Sequence, residues 1–130
     1  MLSGGAGTIE MQVTMVNISG ATCTMKGYPG MQLLSASGSP ITTTVIRGGG
    51  PAFPTAGANA LPALVSLAPQ QVAAFDFSYS DVPVGTETTC PTSAQAEVTP
   101  PNDTAYAVIR LQIAPCGGGT IHVSPVYAQA

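Results

Sequence analysis

The sequence predicts an all-β domain, an antiparallel β-sandwich with Greek-key connections. Three observations carry that reading. Fifteen glycines and twelve prolines punctuate the whole of the 130-residue chain, and helical periodicity is nowhere sustained. Apolar and polar residues instead alternate over short runs rich in Thr, Val and Ile, which suit a pleated, half-buried surface. Turn signals separate these runs at intervals of about 8–12 residues, the spacing of sandwich strands.

The elements follow in order. Over residues 8–18, Ile9, Met11, Val13 and Met15 point one way and Glu10, Gln12 and Thr14 the other. Asn17, Ile18, Ser19 and Gly20 read as a turn, 31–35 as a short strand, and 36–40 as a second turn. Residues 41–47 are β-branched and form a strand. Residues 48–62 form a long loop, 63–67 a strand and 68–70 a turn. Strand 72–79 places Ala73, Phe75, Phe77 and Tyr79 on one face. A loop over 80–92 precedes strands at 94–99, 105–114 and 120–126. That makes about eight strands in one domain spanning residues 1–130, with room for truncation of the N-terminal strand.

Composition narrows the function. Nine residues are charged, 7 % of the chain, against about 25 % in an ordinary soluble domain. A polar but uncharged surface of this kind suits secreted or cell-surface β-proteins. Only Lys26, Arg47 and Arg110 are basic, too few to neutralise the phosphates of a nucleic acid or to hold an anionic membrane surface. No run approaches the roughly 18 apolar residues of a membrane span, so no direct membrane insertion is expected. Residues 1–7 are too short and glycine-rich for a signal-peptide core. If the protein is exported, its targeting segment is expected outside this chain.

The stretch C-T-M-K-G-Y-P-G, residues 23–30, poses a choice between a reactive site and a corner. A nucleophilic Cys23 activated by Lys26 needs a base, and the one histidine, His122, lies nearly a hundred residues on. Gly27, Tyr28, Pro29 and Gly30 read better as a structural corner. Proline fixes φ, glycine tolerates φ > 0, and Tyr28 buries its ring and gives its hydroxyl a backbone partner.

Other chemistry finds little support. Met11, Met15, Met25 and Met31 suggest soft-metal ligands, but Met11 and Met15 share a core-facing stripe with Ile9 and Val13. The carboxylates Glu10, Asp76, Asp81, Glu87, Glu97 and Asp103 are scattered. No nucleophile elbow or phosphate-cradling loop is present. Asn17-Ile18-Ser19 and Asn102-Asp103-Thr104 match a glycosylation acceptor pattern and mark exposed turns. His122 alternates with Ile121 and Val123 and is expected to face solvent. No catalytic residue, cofactor or metal is therefore assigned.

The combination N-I-S-G-A-T-C-T-M-K-G-Y-P-G resembles the actinobacterial family of domains of unknown function catalogued as 4232, found in secreted proteins and lipoproteins. Leu67-Ala68-Pro69, Cys90, Pro100-Pro101, Cys116 with its glycine run, and Val123-Ser124-Pro125-Val126 continue the pattern over nearly the whole chain. The chain departs from it at Gln70, where the family usually has glycine, and in lacking a cysteine before Cys23. The resemblance implies an immunoglobulin-like sandwich outside the cytoplasmic membrane and implies no activity.

The expected function is a non-catalytic exported cell-envelope domain that binds a partner protein or a cell-wall glycan, with no enzymatic role. The alternative is a small hydrolase or metal-handling protein using His122. The expected contact surface is the loop carrying Gly48, Gly49, Gly50, Pro51, Phe53 and Pro54, since loops at one end of a sandwich commonly carry function. Its deletion is expected to leave folding intact. A monomer is expected, with residues 41–47 as an edge strand open to pairing. Cys90 and Cys116 flank two strands that run out and back, which returns them to one end of the sheet, so a Cys90–Cys116 disulfide is expected. Cys23 is expected to be unpaired and largely buried, its natural partner being the upstream cysteine that the resemblance implies and this chain lacks.

Overall fold

A computed structural model describes residues 2–3, 7–103 and 105–129. The described chain is nearly all β. Its strands are β1 (Leu2–Ser3), β2 (Thr8–Val16), β3 (Cys23–Met25), β4 (Gly30–Leu34), β5 (Thr44–Arg47), β6 (Val65–Leu67), β7 (Val72–Ser80), β8 (Gln95–Thr99), β9 (Ala107–Arg110), β10 (Thr120–Val123) and β11 (Tyr127–Ala128). A single 3₁₀ turn, Ala56–Asn59, interrupts the long loop.

The largest sheet runs β1-β2-β7-β10-β5, with β11 also paired to β7. A two-stranded sheet (β3-β6) and a three-stranded sheet (β4-β8-β9) complete the fold. Their inner faces share one core. Phe75, Phe77, Ile121 and Val123 of the large sheet meet Leu33, Val65, Leu67, Ala96 and Val98 of the smaller ones, and Ile9, Met11, Val13 and Met15 close the edge. The alternation read along β2 thus becomes its core stripe, in nine-residue register with β7.

One pairing is not antiparallel. β10 lies parallel to β5, Thr120 beside Thr44 and Val123 beside Arg47. A parallel pair needs a long crossover, and the whole span from β5 to β10 supplies it. The two strands set off together because Gly119 (φ +79°) sits hard against the Thr42 carbonyl, where a Cβ would collide.

The strand ends move for identifiable reasons. The expected 120–126 strand is broken. Val123 pairs with Phe77 and Tyr127 with Ala74, so three residues (124–126) oppose two (75–76) and form a β-bulge. Pro125, which has no N–H to donate, fits only such a break. Ser124 stitches it: its N–H donates to the Asp76 carbonyl and its Oγ accepts the Asp76 N–H, both at 2.8 Å. The 105–114 strand loses its regular ladder after Arg110: Leu111 N–H still donates to Ala94 O and Ser93 N–H to Ile113 O, but Ser93 Oγ accepts the Ile113 N–H and donates to Leu111 O. The 41–47 strand begins only at Thr44, since Thr43 turns its Oγ1 inward to accept the Leu33 N–H.

Two local expectations are corrected. Residues 23–25, given no strand by the sequence pattern, form a short strand on β6. Asn17, expected on an exposed turn, is 6 % exposed and clasps that turn from inside, donating to Ala21 O and Leu67 O. Asn102 is exposed as expected; Thr104 lies outside the described residues.

Candidate functional site

Alternation along β7 puts Ala74, Asp76 and Ser78 on the face opposite the core. Their ladder neighbours share that face: Thr14, Gln12 and Glu10 on β2, Tyr127 on β11 and His122 on β10. The sheet therefore gathers two carboxylates, a tyrosine, a histidine and a glutamine on one side. An antiparallel sheet commonly leaves such a face to water. Here Asp76 is 3 % and Ser78 2 % exposed.

The cover is the long loop over residues 48–62. Phe53 and Ala58 pack with Ala74 and Tyr127 in a second small core. Asn59 holds the loop in shape, accepting the Phe53 N–H at 2.7 Å and donating to Phe53 O at 2.8 Å. Gly57 lies on the Tyr127 ring and Gly50 on the His122 ring, each with room for no more than a strained Cβ at 3.1 Å. Gly48 is tied at both ends, its N–H donating to Val123 O at 2.9 Å and its carbonyl accepting from His122 Nδ1 at 2.7 Å. Of the residues expected to form a free contact loop, Gly48 and Phe53 are thus structural anchors. Gly49, Gly50, Pro51 and Pro54 stay exposed. The expectation that the loop could be deleted without harm to folding does not survive these contacts.

Beneath the loop runs a polar chain. Tyr127 OH donates to Asp76 Oδ1 at 2.5 Å and accepts from Gln12 Nε2 at 2.8 Å, while Gln129 Nε2 donates to Gln12 Oε1 at 3.1 Å. Burial, and then the Asp76 bond, push the Tyr127 phenol above its ordinary range. Among the described residues, Glu10 Oε2 is buried with no hydrogen-bond partner.

His122 does not face solvent as expected. It is half-buried and lines a cavity of about 280 Å³ with Thr8, Pro51, Tyr79, Cys116 and Thr120. A carbonyl can only accept, so Nδ1 carries a proton and donates it toward Gly48. Among the described residues the ring hydrogen-bonds no cysteine or carboxylate. Its partner is the backbone of the covering loop, which explains a histidine at that register.

The cysteines lie elsewhere. Cys90 and Cys116 are disulfide-bonded, with Cα atoms 4.7 Å apart and a separation of 26 positions in sequence. The chain after Cys116 turns left-handed, Gly117 at φ 70° and Gly118 at φ 72°, a conformation glycine adopts without steric cost. This aims two N–H groups at one carboxylate: Gly117 donates to Glu87 Oε1 at 2.9 Å and Gly118 to Oε2 at 3.1 Å. Val84 N–H adds a third donor at 3.2 Å. These donors favour the charged form and hold the Glu87 carboxyl below the usual carboxylate range.

Cys23 is free as expected, but half-buried rather than largely buried, lining a cavity of about 420 Å³ with Met15 and Met25. Met11 packs beside the core with them, and Met31 is buried within it. At the corner, Gly27 has φ +117°, Pro29 is buried and Gly30 opens β4. Tyr28 differs from expectation. It is half-buried beneath the Arg47 guanidinium, 5.6 Å from the ring centroid, and among the described residues its hydroxyl has no hydrogen-bond partner. The ring contributes through the cation rather than through a backbone bond.

The family model for a domain of unknown function, DUF4232, matches residues 2–127. The chain belongs to that family. No curated protein and no solved structure gave a significant match. Within this DUF4232 domain, sequence reasoning missed the Gln12–Asp76–Tyr127 chain. One signal was available: Asp76 interrupts an otherwise apolar run, V-A-A-F-D-F, where a solvent face would carry alternating polar residues on both sides of it.

Proposed function

We propose that this domain is a non-catalytic, exported cell-envelope module that binds a partner protein through the end of its covering loop. The observation that carries the reading is at Leu61 and Leu64. They are 87 % and 67 % exposed, on a segment whose preceding residues are pinned by Phe53 and the Asn59 clasp. Isolated exposed leucines are ordinary. Two on an anchored loop present apolar area that loses little freedom on binding, and such preorganisation favours association. Exposed leucines suit a protein surface better than a glycan, whose hydroxyls ask for polar groups. Export is supported by the disulfide, which persists in oxidising compartments. None of the described helices is long and apolar enough to cross a membrane.

Site-specific photocrosslinking in intact cells tests the proposal. A photoreactive residue at position 61 should yield a discrete protein adduct that Leu64→Asp abolishes, and a probe at Gly38 should not. Adducts at 61 indistinguishable from those at 38, or unaffected by Leu64→Asp, would refute it.

A further inference from the structure

The corner formed by Glu87, Cys90 and Cys116 is used neither by the covered face nor by the proposed contact surface. One carboxylate oxygen and the two Sγ atoms all lie within 4.8 Å of one another. Cys116 is 3 % exposed, while Cys90 and Glu87 are half-buried. In the oxidised chain the two sulfurs are joined and hold no metal. We propose that this corner is a redox-gated metal site: with the disulfide open, the Cys90 and Cys116 thiolates and the Glu87 carboxylate bind a zinc-class divalent cation, and disulfide formation expels it.

Two thiolates and a carboxylate are a donor set that zinc accepts, and three protein ligands leave a fourth tetrahedral position open. That position has a route to solvent. The cavity of about 280 Å³ beside His122 is lined by both Cys116 and Gly117. The carboxylate is also held in advance, because the N–H groups of Val84, Gly117 and Gly118 orient it as outer partners orient metal ligands. The close Cα spacing of 4.7 Å lets both cysteines serve one ion after a small rotation of their side chains.

The chemistry balances. A phosphine and water reduce the disulfide to two thiols and yield the phosphine oxide. Metal binding then forms two sulfur–metal bonds and one oxygen–metal bond, and two thiol protons go to solvent without electron transfer. Expulsion takes a disulfide oxidant, which accepts two electrons and two protons and leaves as two thiols while the Cys90–Cys116 bond re-forms. The site has a use in a chain with a third thiol. Before oxidation, a shared ion holds the correct pair together and keeps Cys23 out of it.

The test uses the full chain, reduced with a water-soluble phosphine, with cobalt(II) as probe and zinc as competitor. Thiolate-to-cobalt charge-transfer absorption should appear at one ion per chain, persist in Cys23→Ser and vanish in Cys90→Ser and Cys116→Ser. Glu87→Gln should weaken binding by at least about 10-fold, the lower end of what loss of even an outer partner costs. The oxidised protein should show no such absorption. Because reduction loosens the fold, thermal unfolding is followed in parallel, and zinc should raise the melting temperature of reduced Cys23→Ser but not of reduced Cys90→Ser. The proposal is overturned if the absorption is absent and zinc shifts no melting curve, if the oxidised protein binds equally, or if the signal follows Cys23.

Discussion

Replacing Tyr127 with phenylalanine removes one oxygen and leaves the ring in place on Phe53 and Ala58. The lost hydroxyl donates to Asp76 at 2.5 Å and accepts from Gln12 at 2.8 Å. Asp76 is 3 % exposed, so water does not readily replace the missing donor. A hydrogen bond to a carboxylate contributes about 1.5–3 kcal/mol, and the neutral, partly exposed Gln12 bond about 0.5–1 kcal/mol more. The expected loss is therefore about 2–4 kcal/mol. In a domain of this size each kcal/mol moves the melting temperature by about 4 °C, so calorimetry near pH 7 should record a fall of about 10 °C. A double-mutant cycle with Asp76→Asn separates this bond from general damage, and a coupling of at least about 1 kcal/mol is expected for groups in contact. A Tyr127→Phe protein within about 0.5 kcal/mol of the parent, the range of an ordinary surface change, would show that the covered polar chain does not stabilise the fold.

Two further outcomes follow from the same structure. Gly119→Ala should cost about 3–4 kcal/mol by urea unfolding, combining a left-handed backbone with a Cβ driven into the Thr42 carbonyl, whereas Gly38→Ala, left-handed at φ +85° in open space, should cost only about 1–2 kcal/mol; equal costs would remove the steric argument. The folded state keeps Tyr127 and Tyr79 protonated beyond their ordinary range, by burial first and by Asp76 and Asp81 respectively in support. Between about pH 10 and those raised values the native state binds more protons than the unfolded chain, so stability is complete below about pH 10 and falls as the pH rises through them. Urea midpoints across that range should fall less steeply for Tyr127→Phe than for the parent; identical slopes would contradict the assignment.

Features that depend on local periodicity and on covalent spacing were legible in the chain alone. Alternation marked β2 and β7 as core strands because a strand shows one face every second residue, whatever it pairs with. Cys90 and Cys116 could be placed together because a chain that runs out and back returns its ends to one place. Family membership was legible as well, since it rests on the order of short motifs. Features that depend on contacts between residues far apart in the chain emerge only once it is folded. The parallel β5–β10 pair spans the region between Arg47 and Thr120, and no local pattern encodes it. The bulge at Ser124 exists because a side chain replaces a ladder partner on β7, 48 residues away. The covered face is of the same kind: Gln12, Asp76 and Tyr127 lie up to 115 residues apart, and each reads alone as a strand residue of no special role. The loop over 48–62 carries the composition of a free connection, rich in glycine and proline. Packing made it a cover, because burying Phe53 and Ala58 against Ala74 and Tyr127 removes apolar area from water, while Asp76 beneath has its partner in Tyr127.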